Sequence, residues 1–168
     1  MRNHKTPLVI IALCAAGAAA AGGQGNPAKT ASADPIVGTW KLDTSQSKLA
    51  STNTAPKEEM QVCLAVNGRI ECTIRTTRTD GSTSSFKVNW PGQGGMVQAQ
   101  GDGVPSTYSG VETHLRTGEW LVTDMIEGRQ VGTLRKLISK DGKTMRQTVQ
   151  GVDTQGKSFE EVRVYEKQ

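Results

Sequence analysis

Residues 62–86 read VCLAVNGRIECTIRTTRTDGSTSSF, and the punctuation of this stretch decides the fold class. Asn67-Gly68 and Asp80-Gly81 are turn dipeptides whose glycines take the positive φ that tight hairpins need. The runs between them are rich in Val, Ile, Thr and Ser, residues that suit a pleated, half-buried surface. The same texture continues outward along the chain. Thr117-Gly118, Glu127-Gly128, Asp141-Gly142 and Gln155-Gly156 each separate two strand-like runs. The pattern predicts strands over 36–43, 58–66, 69–78, 83–90, 95–100, 110–116, 119–126, 129–138, 144–150 and 158–166. No long helix is expected, although Thr44 to Ala50 has room for one helical turn. About ten consecutive antiparallel strands on short turns make a meander, and a sheet of that width curls or closes to remove its edges. The expected fold is all-β: an antiparallel up-and-down β-barrel of about eight to ten strands, with a two-sheet sandwich as the second choice.

The first hairpin has two competing registers. A two-residue turn at Asn67-Gly68 sets Cys63 opposite Cys72, close enough for a disulfide in an oxidising compartment. It also sets Val62 and Leu64 opposite Thr73 and Glu71. A three-residue loop with a glycine bulge shifts the pairing by one, so that Val62 meets Cys72 and Leu64 meets Ile70. The apolar residues then share a face, and the cysteines cannot bond. A one-residue bulge at Asp80-Gly81 places Ile74 opposite Phe86 and Cys72 opposite Val88. Compartment favours the bond and patterning opposes it, and both registers stay open. In either case the cysteines are structural, because no His or acid partner lies near them in sequence.

Arg2 and Lys5 precede an apolar run, Leu8 to Ala21, that ends in small residues. This has the form of a signal peptide, and the run is too short to span a bilayer, which takes about 20 residues. The expected organisation is a signal peptide over 1–21, a polar leader over 22–33 and one β-barrel domain over 34–168, with no transmembrane segment in the mature chain. Cleavage is expected near Ala21. Leu13 stands before Cys14 where lipidation would need a small residue. The expected location is outside the cytoplasm, periplasmic or extracellular.

Loss of residues 1–21, with Arg2 and Lys5, would lower the formal charge from +4 to +2, so the basic balance carries little information. Lys and Arg alternate with Thr, Ser and Glu along the strands, as on a solvated outer sheet face, and only 4% of residues are aromatic. No nucleic-acid partner is expected. Only 35% of residues are apolar, too few for a wholly apolar core, which points to a barrel with a partly polar interior. His114 is the one histidine outside the leader, which excludes motifs that need two, and no G-x-S-x-G or P-loop occurs. The expectation is a protein that is not an enzyme and carries no cofactor or metal. His114 reads as a half-exposed strand residue.

Four short motifs recur in a known order. DPIVGTWKLD, with Gly38 and Trp40, resembles the G-x-W first strand of the calycin superfamily, which includes the lipocalins. GTWKL at Gly38, VNG at Val66, DGK at Asp141 and RVYEK at Arg163 together resemble intracellular fatty-acid-binding proteins over nearly the whole mature chain. The chain is also similar to small secreted bacterial lipocalin-like proteins, a group without an assigned activity. It departs from fatty-acid-binding proteins in two ways. It carries an export-type leader, and Thr44 to Lys57 is too short and polar for their two-helix lid.

The resemblance implies that Arg163 and Tyr165 point inward on the last strand and hold a carboxylate, a geometry that a guanidinium fork and a phenol suit. It equally implies a closing role: in lipocalins a basic residue near the end of the barrel packs over the G-x-W tryptophan, which would put Arg163 on Trp40 beside Gly38. A third arrangement turns Val162 and Val164 inward and leaves Arg163 in solvent. Glu161 shares the face of Arg163 and could neutralise it. Strand parity makes Val62, Leu64, Ile70, Ile74, Phe86 and Val88 the candidate lining. The functional expectation is an exported barrel that binds a small apolar or amphipathic molecule in its interior, an anionic one included. The alternative is a non-catalytic structural or interaction protein of the envelope with a packed barrel. Nothing in the sequence sets the oligomeric state.

Overall fold

The computed structural model describes residues 34–49, 55–152 and 156–168. The expected signal peptide, the leader and Cys14 lie outside the described residues, as does Ala50. Ten strands follow one another: β1 Gly38–Lys48, β2 Pro56–Val66, β3 Arg69–Arg78, β4 Thr83–Trp90, β5 Gly95–Gly101, β6 Tyr108–Arg116, β7 Glu119–Ile126, β8 Arg129–Ile138, β9 Thr144–Val152 and β10 Ser158–Lys167. Every strand pairs antiparallel with its neighbours in sequence, and β1 pairs with both β2 and β10. The result is a closed up-and-down barrel without a free sheet edge, consistent with a calycin-like fold. It confirms the barrel and sets aside the sandwich.

The turn chemistry behaves as the dipeptides predict. Asn67 and Gly68 have φ of 50° and 75°, and Glu127 and Gly128 have 52° and 73°, the paired positive values of a two-residue type I′ turn. This turn sets the register of β2 on β3. Val66 pairs with Arg69 and Cys63 with Cys72, and the two cysteines form a disulfide with Cα atoms 4.0 Å apart. The bulged alternative is therefore excluded. On the next hairpin Ile74 pairs with Phe86 and Cys72 with Val88, as expected.

The register has a consequence for facing. Cys63 is buried, so Gln61 and Glu59 at the same parity are buried too, while Val62 and Leu64 stand on the outer face, 39% and 56% exposed. The expectation that Val62 and Leu64 line the interior is corrected: it followed apolar alternation, and this interior is partly polar. The helical turn expected over Thr44 to Ala50 is also replaced. β1 runs on to Lys48 through an irregularity after Asp43. There the Asp43 carboxylate accepts bonds from the Ser45 and Gln46 backbone amides, a local asparagine-type turn inside the strand.

One end of the barrel is closed by large side chains. Trp40, Tyr165 and Met145 have no exposed surface. Ile36, just ahead of β1, accepts a 2.7 Å hydrogen bond from Trp40 Nε1 through its carbonyl. Lys167 lies over the indole, its Nζ 5.0 Å from the ring centroid. Gly38 makes this possible: its φ is 140°, and a Cβ there would fall 2.5 Å from Lys167 Cε. The basic residue that covers the tryptophan is thus Lys167, four positions beyond Arg163, and the expected Arg163–Trp40 contact is corrected. Trp40 pairs directly with Lys167, whereas Arg163 lies four residues, about 13 Å, farther along β10.

Candidate functional site

Inward parity on β10 carries Glu161, Arg163 and Tyr165 together, and inward parity on β2 carries Glu59 and Gln61 toward them. Glu59 is the hub. Its Oε1 accepts from Tyr165 Oη at 2.6 Å and Gln61 Nε2 at 3.1 Å; its Oε2 accepts from Thr76 Oγ1 at 2.9 Å and Arg163 Nη1 at 3.4 Å. Arg163 Nε and Nη2 donate to Glu161 Oε2 at 3.0 and 2.8 Å. Gln147 on β9 donates to Gln61 at 3.3 Å. Burial works against the charge of Arg163, but Tyr165, Glu59 and Glu161 outweigh it and hold the guanidinium above its ordinary value. Burial, and next the Glu59 carboxylate, push the Tyr165 phenol well above its ordinary value, so it is a neutral donor. The two residues that resemble a carboxylate clamp do clasp a carboxylate, and it belongs to the protein.

A second polar cluster lies across the interior on β6, β7 and β8. Lys136 on β8 is 2% exposed, with its Nζ 3.3 Å from the centroid of the Trp90 ring. Burial pushes its ammonium down to about 7, against the pull of Glu112, Asp124 and Asp34. Asp124 accepts a 2.7 Å bond from Tyr108 Oη. Gly110 permits that bond: it pairs with Asp124 on the adjacent strand, and a Cβ there would press to 3.0 Å from Tyr108 Oη. Burial raises the Asp124 and Glu112 carboxyls and the Tyr108 phenol above their ordinary values. Trp90 Nε1 is buried with no hydrogen-bond partner among the described residues.

Between the clusters is a cavity of about 290 Å³. Its apolar lining includes Ile74, Phe86, Val88, Trp90, Leu134 and Val149, and its polar lining includes Gln147, Tyr108, Asp124, Lys136, Glu59 and Arg163. At one end it shares Glu59, Phe86, Gly103, Val104 and Arg163 with an open basin of about 710 Å³. The basin is rimmed by Pro56, Arg78, Ser84 and Glu161. The cavity volume lies at the lower edge of the range of roughly 300–1,000 Å³ typical of small-molecule sites. Among the described interior residues, the carboxylates of Glu59, Glu161, Glu112 and Asp124 outnumber the cations Arg163 and Lys136.

Of the residues singled out in the sequence, Ile74, Phe86, Val88 and Arg163 are brought together around this cavity. Tyr165 and Ile70 belong to the buried core cluster instead. Val162 and Val164, at the opposite parity, are buried outside that cluster. His114 shares the inward parity of Glu112 but stacks on Trp120, ring centroids 5.6 Å apart, and does not reach the cavity wall. Sequence reasoning missed Glu59, Gln61, Tyr108, Glu112, Asp124, Lys136 and Gln147. The one available signal was the two-residue turn: taken as decisive, it turns Glu59 and Gln61 inward with Cys63.

The fold and cavity define a closed β-barrel with a small interior cavity, mainly apolar with several polar side chains converging on it. No family model matches the chain, and no curated protein matches it in sequence.

Proposed function

We propose that the chain is an exported, non-catalytic, lipocalin-like barrel that binds a small amphipathic molecule in its interior and admits it through the basin at Pro56 and Gly103. The observation that carries this reading is the cavity itself, which is lined by Ile74, Phe86, Val88 and Leu134 together with Tyr108, Asp124, Lys136 and Gln147 and which shares Glu59, Phe86, Gly103, Val104 and Arg163 with the open basin. The ligand class is narrower than the resemblance implied. Arg163 is already engaged by Glu161 and Glu59, and burial holds the ammonium of Lys136, which Glu112 and Asp124 face, down to about 7. An anionic ligand would have to displace a protein carboxylate and face the others, so the reading favours a neutral head group.

Native mass spectrometry of the mature protein with octan-1-ol and with octanoate tests the ligand class. The expected result is a one-to-one octanol complex and weaker octanoate binding. Tighter octanoate binding would return Arg163 to the role of carboxylate receptor. Export is tested by N-terminal sequencing of protein recovered outside the cytoplasm, expected to begin near residue 22. A second reading, an envelope protein with no ligand, draws on the densely packed end around Trp40, Tyr165 and Met145. A clean apo mass with both probes and after gentle purification would favour it.

A further inference from the structure

We propose that Lys136 is a carbonyl-capturing nucleophile, its Nζ forming a reversible imine with an aldehyde or unhindered ketone at the head of an amphipathic ligand held in the barrel cavity. The inference rests on the cavity-binding reading and names the chemistry of its ligand.

Three observations support it. Lys136 lines a cavity together with the apolar Ile74, Phe86 and Leu134, so a ligand whose tail packs against these residues would hold its head group in the same small cavity as the amine. The amine is oriented by the Trp90 ring face at 3.3 Å, a contact that positions Nζ without covering it with a bonded carboxylate. Lys136 is 2% exposed, so its amine is shielded from bulk water, which favours the imine over its hydrolysis.

The charged groups that face Lys136 are Glu112 from β6, Asp124 from β7 and Asp34 ahead of β1. Glu59 and Arg163 line the same cavity from β2 and β10, and the nearest neighbours on β7 and β9 are the uncharged Trp120 and Gln147. Burial outweighs these carboxylates and brings the amine to about 7. At pH 7 the neutral fraction is then about 10³-fold larger than for an exposed lysine near 10.4. A desolvated lysine of this kind is the activated form in which amines attack carbonyls. In the step, the Nζ lone pair forms a C–N bond to the carbonyl carbon. The two protons of the neutral amine leave with the carbonyl oxygen as water, and a C=N bond remains. No oxidant or reductant takes part. Protonation of the imine nitrogen places a cation where Glu112 and Asp124 already face one.

The test is to incubate the folded protein with octanal and sodium cyanoborohydride at pH 7, which reduces the imine to a stable secondary amine. Intact mass and peptide mapping then locate the adduct. The expected result is one octyl group on Lys136, added at least about ten-fold faster than on any other lysine, given its larger neutral fraction. Excess octan-1-ol should slow it, and Lys136→Met and Lys136→Arg should abolish it. Lys136→Arg keeps a cation over Trp90, so circular dichroism of that variant separates lost chemistry from lost folding. Adducts spread over surface lysines with no preference for Lys136 overturn the proposal. Octanol binding without a Lys136 adduct overturns capture while leaving the cavity reading intact. Failure of both octanol and octanal to bind removes the cavity reading and capture with it.

Discussion

The barrel holds two polar clusters that face each other across one cavity, and they are built in opposite ways. Around Glu59 both carboxylate oxygens are used, Tyr165, Gln61, Thr76 and Arg163 each donate, and Arg163 is further tied to Glu161. Around Lys136 the partners are a ring face, an indole Nε1 without an acceptor, and carboxyls that burial makes reluctant to ionise. A saturated network stabilises a fold, because each member lost leaves several buried groups unpaired. An unsaturated one retains chemistry for something else to use. Position on the last strand and resemblance both drew attention to the first cluster, whereas the second holds the free capacity.

Several substitutions would break or sharpen this contrast. The largest effect is expected from Glu59→Ala, which orphans Tyr165 Oη, Thr76 Oγ1 and one side of Arg163. Urea unfolding should show a loss of about 3–5 kcal/mol. A loss under 1 kcal/mol would mean that the network is not the structural member of the pair. Next is the disulfide at the end of the same β2–β3 hairpin, with its sequence separation of nine. Cys63→Ala with Cys72→Ala should cost about 2–3 kcal/mol by the loop-entropy account. Intact mass with and without reductant checks first that the bond is present.

Lys136 should show itself through pH. In the folded protein it releases its proton near 7, whereas the unfolded chain keeps one until about 10.4. Between those values unfolding takes up a proton, so this group makes stability rise with pH, by up to about 1.4 kcal/mol per pH unit. Lys136→Met should lose that rise relative to the parent across about pH 7 to 10. Parallel curves for the two proteins would show that the amine is not desolvated. The smallest effect is expected outside the barrel. Leu64→Ser should change stability by less than about 0.5 kcal/mol, while Ile74→Ala on the adjacent strand should cost about 2–5 kcal/mol. Equal costs would place Leu64 inside after all.

Sequence reading succeeded where the physics is local. The turn dipeptides located all ten strands to within a few residues except at β1, where a run expected to end near residue 43 continues to Lys48. Its failures share one cause. Apolar alternation, which normally marks the core face, places Val62 and Leu64 inside, but the interior face of β2 is Glu59, Gln61 and Cys63. The lipocalin resemblance sets Arg163 on Trp40, and only the pairing of β1 with β10 shows that Lys167 is the residue in register. Lys136, Asp124 and Tyr108 gave no signal, since a polar residue in a strand reads as outer-face whenever half of the surface is wet.

By itself the sequence determined the class of fold and the order of its strands, because glycine-dependent turns and β-branched runs are properties of neighbouring residues. The tertiary structure alone decided which polar residues face inward and which of them are satisfied. That outcome depends on barrel closure, which brings Glu59 within 3.4 Å of Arg163 across 104 positions of chain and leaves Lys136 against a tryptophan 46 residues away.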